Sequence, residues 1–219
     1  SLARHVPRLD KEMKEGKYEH KTGFELGGKT LGIAGLGKIG KRTALIGAFG
    51  FNMNIVCYNI LTIEEQASSE KISTAQFLEK YGISEYYTDY ASFAEKPDIL
   101  SIHMPSTKET FQFFDEKRLG MLKEGVYIVN TSRGALIDDQ AIFNALSSGK
   151  ISAAGLDVFH KEPYEPSDPA LDLRKLSNVI LTPHIGGDTF ESNGNIVGLI
   201  VENITSYQQK QYDTLHRIV

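Results

Sequence analysis

The chain has 219 residues, 41% hydrophobic and 24% charged, with 24 basic against 28 acidic side chains and a net charge of −4. That length makes one large domain or two small ones, with a core that needs no disulfide or metal to fold. The mild acidity excludes a basic nucleic-acid footprint, no apolar run reaches the length of a membrane span, and the single Cys57 excludes an intrachain disulfide framework and fits a reducing, cytoplasmic compartment.

The chain opens with Ser1-Leu2-Ala3-Arg4, without a methionine or a signal-peptide pattern, so a piece of a longer protein is expected. Thr30–Ala34 reads as a strand that runs into a glycine-rich turn. Lys38–Phe49 reads as a helix, with Ile39, Ile46 and Phe49 at helical spacing. Asn54–Tyr58 is a second strand. The polar stretch Thr62–Tyr81 reads as one mostly exposed helix, and Tyr86–Thr88 as a short strand. Asp98–Ile102 is a strand that His103-Met104-Pro105 ends, since Pro105 cannot continue a ladder. Asp115 suits the N-cap of a helix through Leu122, and Val126–Asn130 is rich in β-formers. Asp138 caps a helix carrying Ile142, Phe143 and Leu146, which Gly149 ends. Ile151–Val158 and Val179–Leu181 are the last strands, and Phe190–Gln209 is largely helical.

Strands alternating with helices predict an α/β fold: a mainly parallel sheet covered on both faces. Ligands of such sheets sit beyond the carboxyl ends of the strands. The chemistry is therefore expected at Gly35, Asn59, His103, Thr131, Asp157 and Pro183.

Gly35-Leu36-Gly37-Lys38-Ile39-Gly40 is a G-x-G-x-x-G between a predicted strand and a predicted helix. The first glycine allows the tight turn, the second lets backbone approach a pyrophosphate, and the third lets the helix pack close to the sheet. The helix N-terminus offers free N–H groups to the anion. Alone, among 20 glycines, the pattern is also what a plain tight turn would show; its context points to a Rossmann-type, doubly wound dinucleotide fold. The acidic residue expected about 20 positions on is replaced by Asn59. Asparagine can still bond a ribose hydroxyl but lacks the charge that repels a 2′-phosphate. Residues 60–65 carry no arginine or lysine to bind that phosphate, so NAD is favoured, with NADP not excluded.

Three strand-end segments carry polar groups in apolar settings. Arg133, in Asn130–Gly134, suits a bidentate clamp on a carboxylate or a surface ion pair. Asp157 and Glu162 lie in Gly155–Pro163, where capping or solvation would explain either taken alone. His184 sits between Pro183 and the pair Gly186-Gly187, in a constrained turn that serves structure or catalysis. Together they suggest a division of labour. His184 transfers a proton, Glu162 raises its pKa and orients it, and Arg133 holds an anionic substrate.

With these motifs in order, the chain resembles the D-isomer-specific 2-hydroxyacid dehydrogenases. The resemblance starts at Leu2–Pro7, passes through Leu26–Ile33 into the glycine turn, and continues through His103–Thr107, Asn130–Gly134, Gly155–Pro163 and Thr182–Gly187. It implies Arg133, Glu162 and His184 as the catalytic set and NAD as cofactor. It places Lys38 and Ile39 on the pyrophosphate, Asn59 at the adenosine ribose and Asp157 at the nicotinamide carboxamide. His103, Pro105, Thr107, Thr131 and the His184–Gly187 turn line the cofactor cleft. Glu162 argues against the related formate dehydrogenases, which carry glutamine there. No metal ligand set is implied.

The resemblance also implies a cofactor domain with its core at about 26–188, flanked by connecting helices in 1–25 and 189–219 towards a substrate domain expected to be absent from this chain. It further implies a homodimer and a small 2-hydroxy or 2-oxo acid substrate. The stretch between Asn59 and His103 is longer than is common in the family. Two rival functions remain open on sequence: a non-catalytic, NAD-sensing corepressor module, and a hydrolase that uses bound NAD transiently.

Overall fold

The computed structural model describes residues 1–214, in two compact units, Ser1–Pro183 and a second from His184 onward. In the first unit the helices are α1 (Val6–Lys14), α2 (Lys38–Leu45), α3 (Ile63–Ser69), α4 (Thr74–Tyr81), α5 (Tyr90–Ala94), α6 (Glu116–Gly120) and α7 (Asp139–Ser148). The strands are β1 (Thr30–Ala34), β2 (Asn54–Tyr58), β3 (Ile83–Tyr87), β4 (Ile99–Ile102), β5 (Val126–Asn130), β6 (Ile151–Leu156) and β7 (Val179–Leu181). They form one seven-stranded sheet in the order β3-β2-β1-β4-β5-β6-β7, parallel throughout. The second unit contains α8 (Phe190–Gln208), capped by the Thr189 hydroxyl, which accepts from the Ser192 N–H.

The period of two along a strand sends alternate side chains to opposite faces. Ile55 and Cys57 join one buried cluster with Ile33, Leu36, Ala44 and Phe77. Val56 and Tyr58 join the other, with Phe93, Ile102, Phe114, Ile128 and Leu136. Both faces of the sheet are therefore covered, as parallel strands require.

The caps at Asp115 and Asp138 form as expected. Asp115 accepts from the Arg118 N–H at 2.8 Å and Asp138 from the Ala141 N–H at 2.7 Å. Gly149 ends α7 in the left-handed region. Several expectations need correction. The helix after Asp115 stops at Gly120, before Leu122, and β6 ends at Leu156 rather than Val158. The fourth strand starts at Ile99 rather than Asp98, whose carboxylate accepts from the Thr30 N–H at 2.9 Å at the start of β1. The third strand spans Ile83–Tyr87 instead of Tyr86–Thr88.

The helix expected over Lys38–Phe49 is α-helical to Leu45 and continues as a π-helical turn over Ile46–Gly50. Its larger apolar residues, Ile39, Ile46 and Phe49, are exposed, while Gly40, Ala44 and Gly47 face inward. The helix lies too close to the sheet for bulk. A Cβ on Gly47 would stand 2.8 Å from Leu31 and 2.9 Å from Ile55.

The single exposed helix expected over Thr62–Tyr81 is two helices, each opened by its own capping box: Thr62 with Glu65, then Ser73 with Gln76. Nor is the segment mostly exposed, since Phe77 and Tyr81 are buried in the core. A polar knot ties it to α2. Glu70 accepts from Lys41 at 2.7 Å, Lys80 at 2.7 Å and the Tyr81 hydroxyl at 2.8 Å, and the Lys41 ammonium lies 5.1 Å above the Phe77 ring. Burial by itself raises the Glu70 pKa, but the bonds from Lys41, Lys80 and Tyr81 outweigh it and hold the carboxyl at about 2.

That folded value lies below the ordinary 4.5. The stabilisation is therefore complete above the unfolded pKa and disappears as pH falls through about 2. Glu70→Gln is expected to lower the unfolding free energy at pH 7 by about 1–2 kcal/mol, as charge-assisted hydrogen bonds at a partly buried site do. Urea unfolding should show the gap to the native chain closing between pH 4.5 and pH 2.

Candidate functional site

The site begins with strand register. The pairing aligns Tyr58, Ala34, Ile102, Asn130, Leu156 and Leu181 across the sheet. One residue further along each strand lies a row of exits: Asn59, Gly35, His103, Thr131, Asp157 and Thr182. Five of these are the expected positions; at β7 the row meets Thr182 instead of Pro183.

At the centre of the row the strand order reverses between β1 and β4. Gly35 takes φ +96°, a conformation side chains rarely adopt, and a Cβ there would stand 2.7 Å from the His103 carbonyl. Gly40 packs so tightly that a Cβ would lie 2.2 Å from the Gly35 oxygen. Gly37, the N-cap of α2, has nothing within 4 Å of such an atom, so the backbone beside it is open to a ligand. Lys38 and Ile39 are exposed at the first turn of α2. The Asn59 side-chain oxygen accepts from the Leu36 N–H at 3.4 Å and so ties the end of β2 to the turn.

A cleft of about 600 Å³ opens beside this turn. Gly35, Gly37, Asn59, His103, Pro105 and Thr107 line it, together with the apolar Tyr58, Ile60, Leu61, Met104 and Phe113. The loop after β4 is braced by Thr110, whose hydroxyl accepts from the Thr107 N–H at 2.8 Å and donates to the Pro105 carbonyl at 2.6 Å. Burial pushes His103 down to about 4, so the ring is neutral at physiological pH. Its Nε2 pairs with the Ser101 hydroxyl at 2.8 Å. Cys57, one strand over, is buried, and burial pushes its thiol up, which leaves it inert.

Two strands beyond, buried Asn130 organises the loop that carries Thr131 and Arg133. Its side chain accepts from the Ser132 N–H at 3.1 Å and donates to the Arg133 carbonyl at 3.0 Å. Arg133 is exposed, and its Nη1 donates to the Ser132 carbonyl at 2.6 Å. Gly134 touches the next loop directly: a Cβ there would fall 1.9 Å from the Phe159 backbone. The Phe159 N–H donates to Glu162 Oε1 at 3.0 Å. The Arg133 and Glu162 loops thus meet through Gly134 and Phe159. Asp157 is buried at the end of β6, where it accepts from the Thr182 hydroxyl at 2.5 Å. His184, Gly186 and Gly187 belong to the second unit, in which His184 adopts φ 55°, a value uncommon for a residue with a side chain.

The sequence reading passed over Asn130 and Thr182 as functional positions. Both sit inside segments it singled out; the Asn130 bonds to Ser132 and Arg133 are local, whereas the Thr182 bond to Asp157 exists only once β6 and β7 are adjacent. It also passed over Gln66, which lines the cleft. Among the described residues no group of His, Cys, Asp and Glu is arranged to hold a metal ion, and no helix is long and apolar enough to cross a membrane.

A parallel sheet whose order reverses where a glycine turn opens a helix defines a dinucleotide-binding protein of the doubly wound class. The chain belongs to the D-isomer specific 2-hydroxyacid dehydrogenase family, whose NAD-binding domain matches residues 1–186. It is 38% identical over 207 residues to the hydroxypyruvate reductase of Thermotoga maritima, covering 93% of this chain and 61% of that one. It is 36% identical over 208 residues to the D-3-phosphoglycerate dehydrogenase of Archaeoglobus fulgidus, covering 94% of this chain and 36% of that one. The D-lactate dehydrogenase of Aquifex aeolicus, solved with NAD and lactic acid, superposes with a TM-score of 0.81 at 30% identity, over 97% of this chain and 64% of that one. The chain therefore spans less than two thirds of the length of these relatives. NAD is the cofactor of this domain, and the open backbone at Gly37 and the adjoining cleft fit a dinucleotide.

Gly37→Ala and Gly40→Ala should separate binding from folding. The first adds a methyl into open space, so its unfolding free energy should stay within about 1 kcal/mol of native, the scale of an N-cap change. Its NADH dissociation constant should rise about tenfold or more, because the methyl stands where backbone must meet the pyrophosphate. The second forces a clash and should cost about 2–3 kcal/mol in urea unfolding.

Proposed function

We propose that this chain is the cofactor-binding part of an oxidoreductase that interconverts a small 2-oxo acid and its 2-hydroxy acid with NAD. The observation that carries the reading is the meeting of the Arg133 and Glu162 loops through Gly134 and Phe159, on the same sheet edge as the glycine turn. The backbone of Gly37, Lys38 and Ile39 would hold the pyrophosphate, Asn59 the adenosine ribose, and Asp157, kept in place by Thr182, the nicotinamide carboxamide. Bound nicotinamide supplies or accepts the hydride. Thr107, Thr131, Gly186 and Gly187 complete the cofactor contacts.

In the reducing direction Arg133 holds the substrate carboxylate, the one group every 2-oxo acid shares, and its fixed fork suits that anion. His184 gives a proton to the carbonyl oxygen, and Glu162 is the carboxylate of the catalytic set. The absence of a cation in residues 60–65, together with Glu64 and Glu65, supports NAD over NADP. The relatives compared above are named as reductases or dehydrogenases, and none as a corepressor.

The same reading includes a homodimer in the cytoplasm. The exposed Ile39, Ile46, Phe49 and Phe51 on and beside α2 support the first, and the lone, buried Cys57 supports the second.

The test is NADH oxidation by glyoxylate, hydroxypyruvate and pyruvate in the protein made from its whole reading frame. At least one of these acids should be reduced, with NADH preferred over NADPH. His184→Gln should lower kcat about 100-fold or more, the usual weight of a general acid. Arg133→Lys should act mainly by raising KM, because a point charge replaces the fork. Failure of every 2-oxo acid to oxidise either cofactor would sink the proposal.

A further inference from the structure

One buried polar group in the cleft has no role in the scheme above. Gln66 is only 7% exposed, yet it lines the cleft beside the ends of β1 and β2. Its backbone is fully engaged: the N–H donates to the Thr62 carbonyl at 3.1 Å, and its carbonyl accepts from the Ser69 hydroxyl at 2.7 Å. Its side-chain carboxamide makes no hydrogen bond among the described residues. The residue as a whole is buried, but its amide atoms are not among the buried, unpaired polar atoms, so the carboxamide reaches the open cleft, where an entering group can pair with it.

The segment that carries it is firmly placed. The Thr62–Glu65 capping box fixes the first turn of α3, and the Tyr86 hydroxyl donates to the Leu61 carbonyl at 2.6 Å. Glu70, at the far end of α3, is locked by Lys41, Lys80 and Tyr81. Around Gln66 the wall is largely apolar: Ile60, Leu61, Met104 and Phe113 offer surface to a flat ring, while Asn59, His103, Thr107, Glu109 and Thr110 are the other polar residues of the lining.

A carboxamide presents a donor and an acceptor side by side. The edge of adenine presents the matching pair, the N6 amine beside a ring nitrogen. We propose that Gln66 is an adenosine-recognition residue, pairing its carboxamide with the polar edge of the base, while Asn59 serves the ribose. This rests on the reading of the cleft as the cofactor's adenosine end and deepens it. The long stretch between β2 and β3 then has a function: it carries a base-reading side chain into a largely apolar pocket.

The experiment titrates NADH, ADP and reduced nicotinamide mononucleotide, which lacks adenosine, against the native chain and Gln66→Leu. Leucine is of similar size and removes only the amide. The variant is expected to bind NADH and ADP about five- to tenfold more weakly, the effect of one or two lost hydrogen bonds. Its affinity for the mononucleotide should be unchanged, and its urea midpoint should not fall. Gln66→Asn, with the same chemistry on a shorter stem, should recover part of the loss. NADH and ADP affinities that Gln66→Leu leaves unchanged would overturn the assignment alone, and so would an equal loss of all three ligands. No NADH binding by the native chain would overturn the cofactor-site reading and this assignment with it.

Discussion

The register of the parallel sheet is the constraint on which the rest of the site depends. Parallel ladders hold their strands at fixed offsets, and here the offsets bring six strands to an end along one line. A one-residue slip in any strand would move its last side chain to the other face and carry its exit off the line. Alternate side chains of a strand pack into different clusters on the two faces, so a slip would exchange the residues that fit each one. The row from Asn59 to Thr182 is therefore a consequence of core packing, although of its members only Gly35 and Asp157 are themselves buried.

On that edge, short polar bridges turn strand ends into a shaped surface. Asn130 folds back on Ser132 and Arg133, Thr182 bonds Asp157, Asn59 bonds the glycine turn, and Thr110 ties the loop after β4. Each contributes modestly to stability by itself, but a buried donor or acceptor left unpaired is costly, so each loop has one favoured path. Close backbone contact does the same work where no side chain fits. Gly35 lies against His103, and Gly134 against Phe159, so the loops of non-consecutive strands are locked pairwise.

The segment between β2 and β3 follows the same logic at the periphery. Two capping boxes set where its helices start, Phe77 and Tyr81 bury its inner side, and the knot around Glu70 fastens it to the helix that opens at the glycine turn. A segment that reads as polar and outlying is thus part of the wall of the cleft beside the glycine turn.

Much of this was legible in the sequence, because the signals are local. Short β-rich apolar runs mark β1, β2, β4 and β5, aspartates mark the caps of α6 and α7, and the spacing of glycines marks the turn. Each depends on residues a few positions apart, and even the order of motifs that identifies the family is a one-dimensional property. The face that α2 turns to the sheet was not legible, since Ile39 and Phe49 carry the helical spacing while the close approach to Leu31 and Ile55 admits only Gly40, Ala44 and Gly47. Nor was the break at Ser73, where a second capping box outweighs the continuity of a polar stretch. The strand-end polar residues were visible one by one, each with a bland alternative beside it. What made them a set was register, and register is decided by contacts between residues 23 to 68 positions apart, such as Leu36 with Asn59 and Thr30 with Asp98. The sequence determined the elements, the phosphate turn and the family. The tertiary structure alone decided which side chains face one another, because that depends on non-local packing that no local pattern encodes.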